Sequence, residues 1–99
     1  MKHFFHHAAE QEFFEAINYY EEKENSLGYD FAVEVYSTIE RIISFPNAWP
    51  LIDEDIRRAL VRRFPFGILY HEEKGEIFIL AVMNLHRNPG YWKLRKKNK

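Results

Sequence analysis

The 99-residue chain contains no cysteine. This absence excludes disulfides, thiol nucleophiles and thiolate metal sites, and it fits a reducing compartment. No apolar run approaches the roughly 20 residues that a membrane-spanning helix needs. The N-terminus also lacks the apolar region of a signal peptide. We therefore expect a cytoplasmic protein without a membrane partner.

The signatures of several enzyme classes are missing as well. The sequence has no GxGxxG or Walker loop for nucleotides, no GxSxG of serine hydrolases and no HExxH of zinc proteases. His3, His6 and His7 lie close together, but no cysteine or carboxylate accompanies them at ligand spacing. We interpret them as partly exposed structural histidines, and we expect neither a metal nor a cofactor.

The length and composition of the chain indicate one globular domain over residues 1–99. The sequence is 46% hydrophobic and 17% aromatic, which is enough to build a modest core. Its net charge of -1 conceals an asymmetry, because residues 1–56 carry a charge of -9 and residues 57–99 a charge of +8. Either the basic half meets an anionic partner, or acidic helices neutralise a basic sheet. Residues 93–99 are predicted to form a solvated basic tail, and the sequence does not decide whether this tail is ordered or disordered.

The acidic half predicts a short N-terminal strand and a first helix. Residues 2–6 form the aromatic strand, and apolar residues then recur at three- and four-residue spacing from Ala9 to Tyr20. Glu10 and Glu12 fall in the first turns, where the helix dipole favours a carboxylate. The helix should end in the loop 25–28, where a glycine is available for the left-handed conformation.

A second helix should follow directly. Its apolar stripe runs from Phe31 to Ile43, and Pro46 ends it. Because the connection is short, the two helices should form an antiparallel hairpin. Residues 46–50 form a rigid linker in which Trp49 is expected to be a packing anchor.

The basic half predicts strands. Residues 57–64 alternate arginine with apolar residues and should form the first of them. Residues 67–72 and 76–85 should pair as a hairpin across the turn 73–75. The second of these two strands is apolar enough from Ile77 to Met83 to be a central strand. The predicted fold is therefore α+β. It consists of an N-terminal strand, an antiparallel two-helix hairpin and a three-stranded antiparallel meander, all strands forming one sheet.

The basic half also contains the only compact set of polar and aromatic residues. Arginine neutralises phosphate and aromatic rings stack on bases, so the set suits single-stranded nucleic acid, and a histidine could act as acid or base. In the alternative, Tyr91 and Trp92 fold back on the core and the arginines pair with an acidic polypeptide. The candidate binding residues are Arg58, Arg62, Arg63, His86, Arg87, Tyr91 and Trp92, and the candidate catalytic residues, if the protein is a nuclease, are Arg58, Arg62, His86 and Arg87.

Nearly the whole chain resembles the RelE/ParE family of toxins from bacterial type II toxin–antitoxin modules. The resemblance depends on Tyr19-Tyr20, Phe45-Pro46, Arg63-Phe64-Pro65-Phe66, Ile68-Leu69-Tyr70, Ile79-Leu80-Ala81-Val82 and Arg87-Asn88-Pro89-Gly90-Tyr91-Trp92. It implies an α+β fold with a helical hairpin packed on a mostly antiparallel sheet. It also implies a cognate antitoxin protein as partner, in a homodimer or a heterotetramer with the antitoxin.

The family has two activities, and the resemblance favours one of them. RelE-like members cut mRNA in the ribosome with basic side chains, whereas ParE-like members inhibit growth by poisoning DNA gyrase. Gly67 and His86 stand where RelE-like nucleases place arginines, and Trp92 or Tyr91 stands at their terminal tyrosine. We therefore expect a ParE-like, plasmid-stabilisation toxin. The alternatives are an mRNA endonuclease and a non-toxic antitoxin-binding homologue.

Overall fold

The structure, a computed structural model, describes residues 1–98, with side chains through residue 95. The last residue of the predicted basic tail, Lys99, lies outside this range. The elements in chain order are β1 (His3–Phe5), α1 (His7–Lys23), α2 (Leu27–Ser44), β2 (Leu51–Asp53), β3 (Ile56–Leu60), β4 (Phe66–Glu73), β5 (Glu76–Asn84) and a 3₁₀ helix (Lys93–Asn98). The strands form one sheet in the order β1-β5-β4-β3-β2.

The predicted α+β class with a helical hairpin is confirmed, but the sheet differs from the prediction. It has five strands in the described residues, because β2 pairs with β3 beyond the expected meander. β1 pairs with β5 in parallel, so the sheet is mixed. The strand predicted over 57–64 ends at Leu60, and beyond it Arg63 takes a left-handed φ of 72°, outside the β region.

The first helix begins at a histidine cap. The Nδ1 atom of His6 accepts a hydrogen bond from the Ala8 N–H at 3.1 Å, which satisfies one of the free donors of the first turn.

In the part of the chain that the structure describes, no three His, Cys, Asp or Glu side chains are grouped as a metal-ligand set.

Gly28 has a different role from the one predicted. It lies inside the first turn of α2, and Ser26 instead takes the left-handed conformation, with φ 74°. A Cβ atom on Gly28 would lie 2.5 Å from the Ile17 carbonyl oxygen. The glycine therefore permits the two helices to approach closely. Glu21 closes the connection by accepting the Ser26 and Gly28 N–H groups at 2.9 and 3.0 Å.

The main core lies between the helices and the sheet, and Phe31 is at its centre. This side chain is fully buried. Its ring contacts four other aromatic rings, with centroids 4.9 to 6.1 Å away, namely those of Phe13, Tyr20, Phe64 and Phe66. Offset and edge contacts of this kind add to the hydrophobic stabilisation.

A second, smaller core covers the opposite face of the sheet. The C-terminal segment folds back over this face, and Trp92 packs there with only 2% of its surface exposed. The Trp92 indole N–H donates to the Pro89 carbonyl oxygen at 2.6 Å. Its partners in this second core are Ile56, Leu69, Leu80, Ala81 and Met83. The two C-terminal aromatic residues therefore fold back on the core, as one part of the alternative predicted.

The hairpin of β4 and β5 is confirmed and is slightly longer than predicted. Glu73 pairs with Glu76, and the two residues between them, Lys74 and Gly75, have φ angles of 53° and 78°. Positive φ at both turn positions matches the right-handed twist of the flanking strands. Glycine at the second of these positions adopts that conformation without steric cost.

Tyr70 should make the protein sensitive to alkaline pH. Its side chain is fully buried, its hydroxyl donates to the Pro46 carbonyl oxygen at 2.7 Å, and burial raises its pKa to about 12. The pKa of tyrosine in the unfolded chain is about 10, so the unfolded state releases this proton first. The stabilisation is therefore complete below pH 10 and is lost as the pH rises through the folded-state value.

Urea unfolding of the wild type and of Tyr70→Phe across this pH range measures the effect. We expect the free-energy difference between them to shrink by about 1 kcal/mol between pH 9.5 and 11. Other tyrosines are present in both proteins and cancel in the comparison. A difference that stays constant over this range would contradict the prediction.

Candidate functional site

The polar centre of the molecule is the carboxylate of Glu12, which ties α1 to β5 and to the C-terminal segment. Its oxygens accept a hydrogen bond from the Tyr91 hydroxyl at 2.6 Å and from the Val82 N–H at 3.1 Å. The Arg95 guanidinium binds the same carboxylate with two nitrogens, at 2.8 and 3.0 Å. The Glu12 side chain is only 12% exposed, so these bonds are poorly screened by solvent.

Tyr91 lies between two guanidinium groups. The Arg87 and Arg95 guanidinium carbons lie 4.0 and 4.9 Å from the Tyr91 ring centre, within the range of cation–π attraction. Burial raises the pKa of the Tyr91 hydroxyl far above its ordinary value, and its hydrogen bond to Glu12 acts in the same direction. The phenol therefore stays protonated and remains a hydrogen-bond donor.

Arg87 is held by this network but stays accessible. Its Nη1 atom lies 3.7 Å from Glu12 Oε2, and about half of its side chain is exposed. Guanidinium groups have five donors in a planar fork, so Arg87 keeps donors for an external carboxylate or phosphate.

A cleft of about 430 Å³ opens beside Arg87, between α1 and the adjoining ends of β4 and β5. The Asn84 side chain accepts the His86 N–H at 2.9 Å and so fixes the chain where it leaves β5. The side of the cleft formed by α1 carries carboxylates and tyrosines, and the segment after β5 carries the basic groups. The residues that give it this character are Glu12, Glu15, Tyr19, Tyr20, His86 and Arg87.

Arg58 and Arg62 line a second groove, at the side of the sheet where β2 and β3 lie. The structure thus separates the candidate residues into two groups. Arg58 and Arg62 line this second groove, whereas His86, Arg87 and Tyr91 lie at the Glu12 network and its cleft. Trp92 lies in the second core instead of on the surface. Arg63 is 3.7 Å from Asp30, in a pair that is exposed on both sides and that contributes little to stability.

Sequence reasoning missed the two residues that organise the site. Glu12 was assigned to favourable interaction with the helix dipole, and Arg95 to the solvated tail. Glu12 is three residues after Ala9 and directly before Phe13, both buried, so helical periodicity already places it beside the apolar face. No comparable signal identifies Arg95, because its partner is 83 residues away in the chain.

None of the helices in the described part of the chain is long and apolar enough to cross a membrane. Comparisons with protein-family models and with curated proteins find no match.

A solved structure superposes on most of the chain. It is described as the chromosomal ParDE toxin–antitoxin system from P. aeruginosa. The superposition has a TM-score of 0.61 and 17% sequence identity, and it covers 87% of this chain and 97% of the other. At this identity the likeness concerns the fold. The protein therefore shares the fold of a chain from a ParDE toxin–antitoxin system.

Proposed function

We propose that this protein is the toxin of a toxin–antitoxin module and that it inhibits growth by binding a protein target. The observation that carries the proposal is the shared fold with a ParDE system chain over 87% of this chain and 97% of the other. The resemblance of the sequence to RelE/ParE toxins is independent support. An antitoxin protein is the corresponding partner, and DNA gyrase is the target that a ParE-like toxin would bind.

The charges of the cleft favour a protein target over RNA. Glu15 is exposed and lines the cleft together with Arg87, and a free carboxylate repels a phosphate backbone. A folded protein can present basic and acidic groups in complementary positions, which a polyanion cannot. In this proposal Arg87 and His86 contact the target, while Glu12 and Tyr91 hold Arg87 in position.

The second candidate function is mRNA cleavage in the ribosome, and the exposed His86 supports it. His86 follows the end of β5 and lines the cleft next to Arg87, so a general acid or base would stand beside a phosphate-binding group. Primer extension on cellular mRNA after induction tests this candidate. Cleavage sites that disappear in His86→Ala would favour it over the gyrase proposal, and intact mRNA would exclude it.

Removing the charge of Arg87 should weaken toxicity without unfolding the protein. When the gene is induced in a bacterial host without an antitoxin, we expect growth arrest, and purified protein should inhibit supercoiling by gyrase. Arg87→Gln should raise the concentration for half-inhibition about tenfold, because exposed arginines at the centre of an interface carry much of its energy.

The matched control is Lys74→Gln, which removes an exposed cation in the turn between β4 and β5, outside the cleft and the second groove, and should leave inhibition unchanged. Growth arrest without any effect on supercoiling would contradict the gyrase target. Normal growth under strong expression would instead favour a non-toxic homologue.

A further inference from the structure

The α1 side of the cleft presents an exposed carboxylate next to an exposed aromatic ring. Glu15 and Tyr19 both line the cleft, and they are four residues apart in α1. Residues at this spacing are neighbours on a helix surface, with about 5 to 6 Å between their Cβ atoms. A cation placed between them is attracted both by the carboxylate charge and by the negative face of the ring.

The charge of Glu15 is not neutralised locally. Its side chain is exposed, and the ion pairs among residues 1–95 leave it out. The other charged residues that line the cleft are Glu12 and Arg87, and they lie 3.7 Å from each other. Because these two charges compensate each other in part, the Glu15 carboxylate determines which charge the α1 side of the cleft attracts, and it favours a cation.

The Tyr19 ring already has a cation over it. Tyr19 is 55% exposed, and the Lys23 Nζ atom lies 5.0 Å from its ring centre. This distance is within the range of cation–π attraction. The ring is therefore placed so that a cation can approach it, and Lys23 is an internal competitor for any external one.

Contacts with the main core hold the Tyr19 ring in place. The Tyr20 ring lies 5.3 Å from it at an angle of 76°, which is an edge contact. Tyr20 in turn packs against the Phe64 ring, 4.8 Å away. A ring that is supported in this way loses less conformational entropy when it binds a ligand.

An arginine side chain matches the carboxylate and the ring better than a lysine does. Its guanidinium group is planar, so it can stack on an aromatic ring while its edge donates to a carboxylate. It is also more weakly hydrated than an ammonium group and loses less when it leaves water.

We propose that Glu15 and Tyr19 form a subsite of the cleft that binds an arginine side chain of the target protein. The guanidinium group stacks on Tyr19 and pairs with Glu15, while Arg87 remains for a carboxylate of the same target. Lys23 weakens this binding, because its charge repels a second cation near the ring. The inference rests on the proposed function in assigning the arginine to the target of a toxin.

Titration of the isotopically labelled full chain with Nα-acetylarginine amide, followed by NMR, tests the subsite without the target. Amide shifts should change in α1 around Glu15 and Tyr19. Glu15→Gln and Tyr19→Leu should each raise the dissociation constant about threefold, as expected for one exposed ion pair and one exposed cation–π contact. Lys23→Gln should lower it about twofold, because it removes the competing charge.

Two controls separate the subsite from general charge effects. Glu10→Gln removes an exposed carboxylate of the same helix outside the cleft and should bind like the wild type. Nα-acetylcitrulline amide has nearly the same shape as the arginine compound without its charge, and it should produce no shifts at the subsite. The NMR spectrum of each variant also shows whether it is folded.

Three results would overturn the proposal. These are unchanged affinity in Glu15→Gln, an equal loss in Glu10→Gln, and tighter binding of Nα-acetyllysine amide than of the arginine compound.

Inhibition of gyrase is measured separately on the same variants. Glu15→Gln keeps Arg87 and should raise the concentration for half-inhibition about threefold. If it inhibits like the wild type, the subsite is wrong and the proposed function stands. If the wild type binds the arginine compound but does not inhibit gyrase, the proposed target is wrong and the subsite stands.

Discussion

Replacing Glu12 with alanine should lower the free energy of unfolding by about 3 to 5 kcal/mol. The carboxylate accepts two bonds from Arg95, whose side chain is only 17% exposed, and one each from Tyr91 and the Val82 N–H. The substitution leaves the Val82 N–H and the Tyr91 hydroxyl partly buried without this acceptor, and Arg95 keeps only the Leu80 carbonyl oxygen, at 3.1 Å. In a domain of this size the loss corresponds to a melting temperature lower by about 15 to 30 °C.

Urea and thermal unfolding measure this effect directly. Glu15→Ala is the matched control, since Glu15 is exposed on the same helix, and its change should stay within about 0.5 kcal/mol. Glu12→Gln keeps an acceptor oxygen and loses the charge, so it should fall between the two. If Glu12→Ala were as stable as Glu15→Ala, the network would contribute nothing to stability.

Phe31→Ala should destabilise the protein by a similar amount, about 3 to 5 kcal/mol. Phe31 is fully buried and contacts rings from α1, namely Phe13 and Tyr20, and from the sheet side, namely Phe64 and Phe66. Alanine removes the ring and leaves a cavity where the helices meet the sheet, which four rigid aromatic rings can fill only in part. Equilibrium unfolding in urea measures the loss.

The control for Phe31→Ala is Tyr29→Ala, two residues earlier on the same helix. The Tyr29 side chain is 70% exposed, so its removal should change the free energy of unfolding by about 0.5 kcal/mol or less. A small effect in Phe31→Ala would show that the core collapses around the lost ring.

The parts of the fold predictable from sequence are those with local signals. The apolar stripes predicted both helices, and the turn at Lys74 and Gly75 predicted the hairpin, because each signal lies within a few neighbouring residues. β2 was missed because its three residues are too few to show an alternating pattern. The close approach at Gly28 depends on where the other helix lies, which the local sequence does not specify.

The candidate site was predictable in its basic residues but not in its arrangement. His86 and Arg87, both candidate residues, line one cleft because they are adjacent in the chain. The separation of Arg58 and Arg62 into another groove follows from the strand order, which composition does not specify. Arg41 was assigned to a helix and joins Arg58 and Arg62 only through the packing of α2.

The parallel pairing of β1 with β5 has a consequence for folding during synthesis. Residues 3–5 pair with residues 77–79, so the first strand has no partner until most of the chain has left the ribosome. Contacts between such distant segments slow folding, because a long loop must close before they form. The helices can form early, whereas the sheet that carries the cleft is completed only once β5 is available for pairing. A nascent chain that lacks β5 would therefore lack the completed cleft.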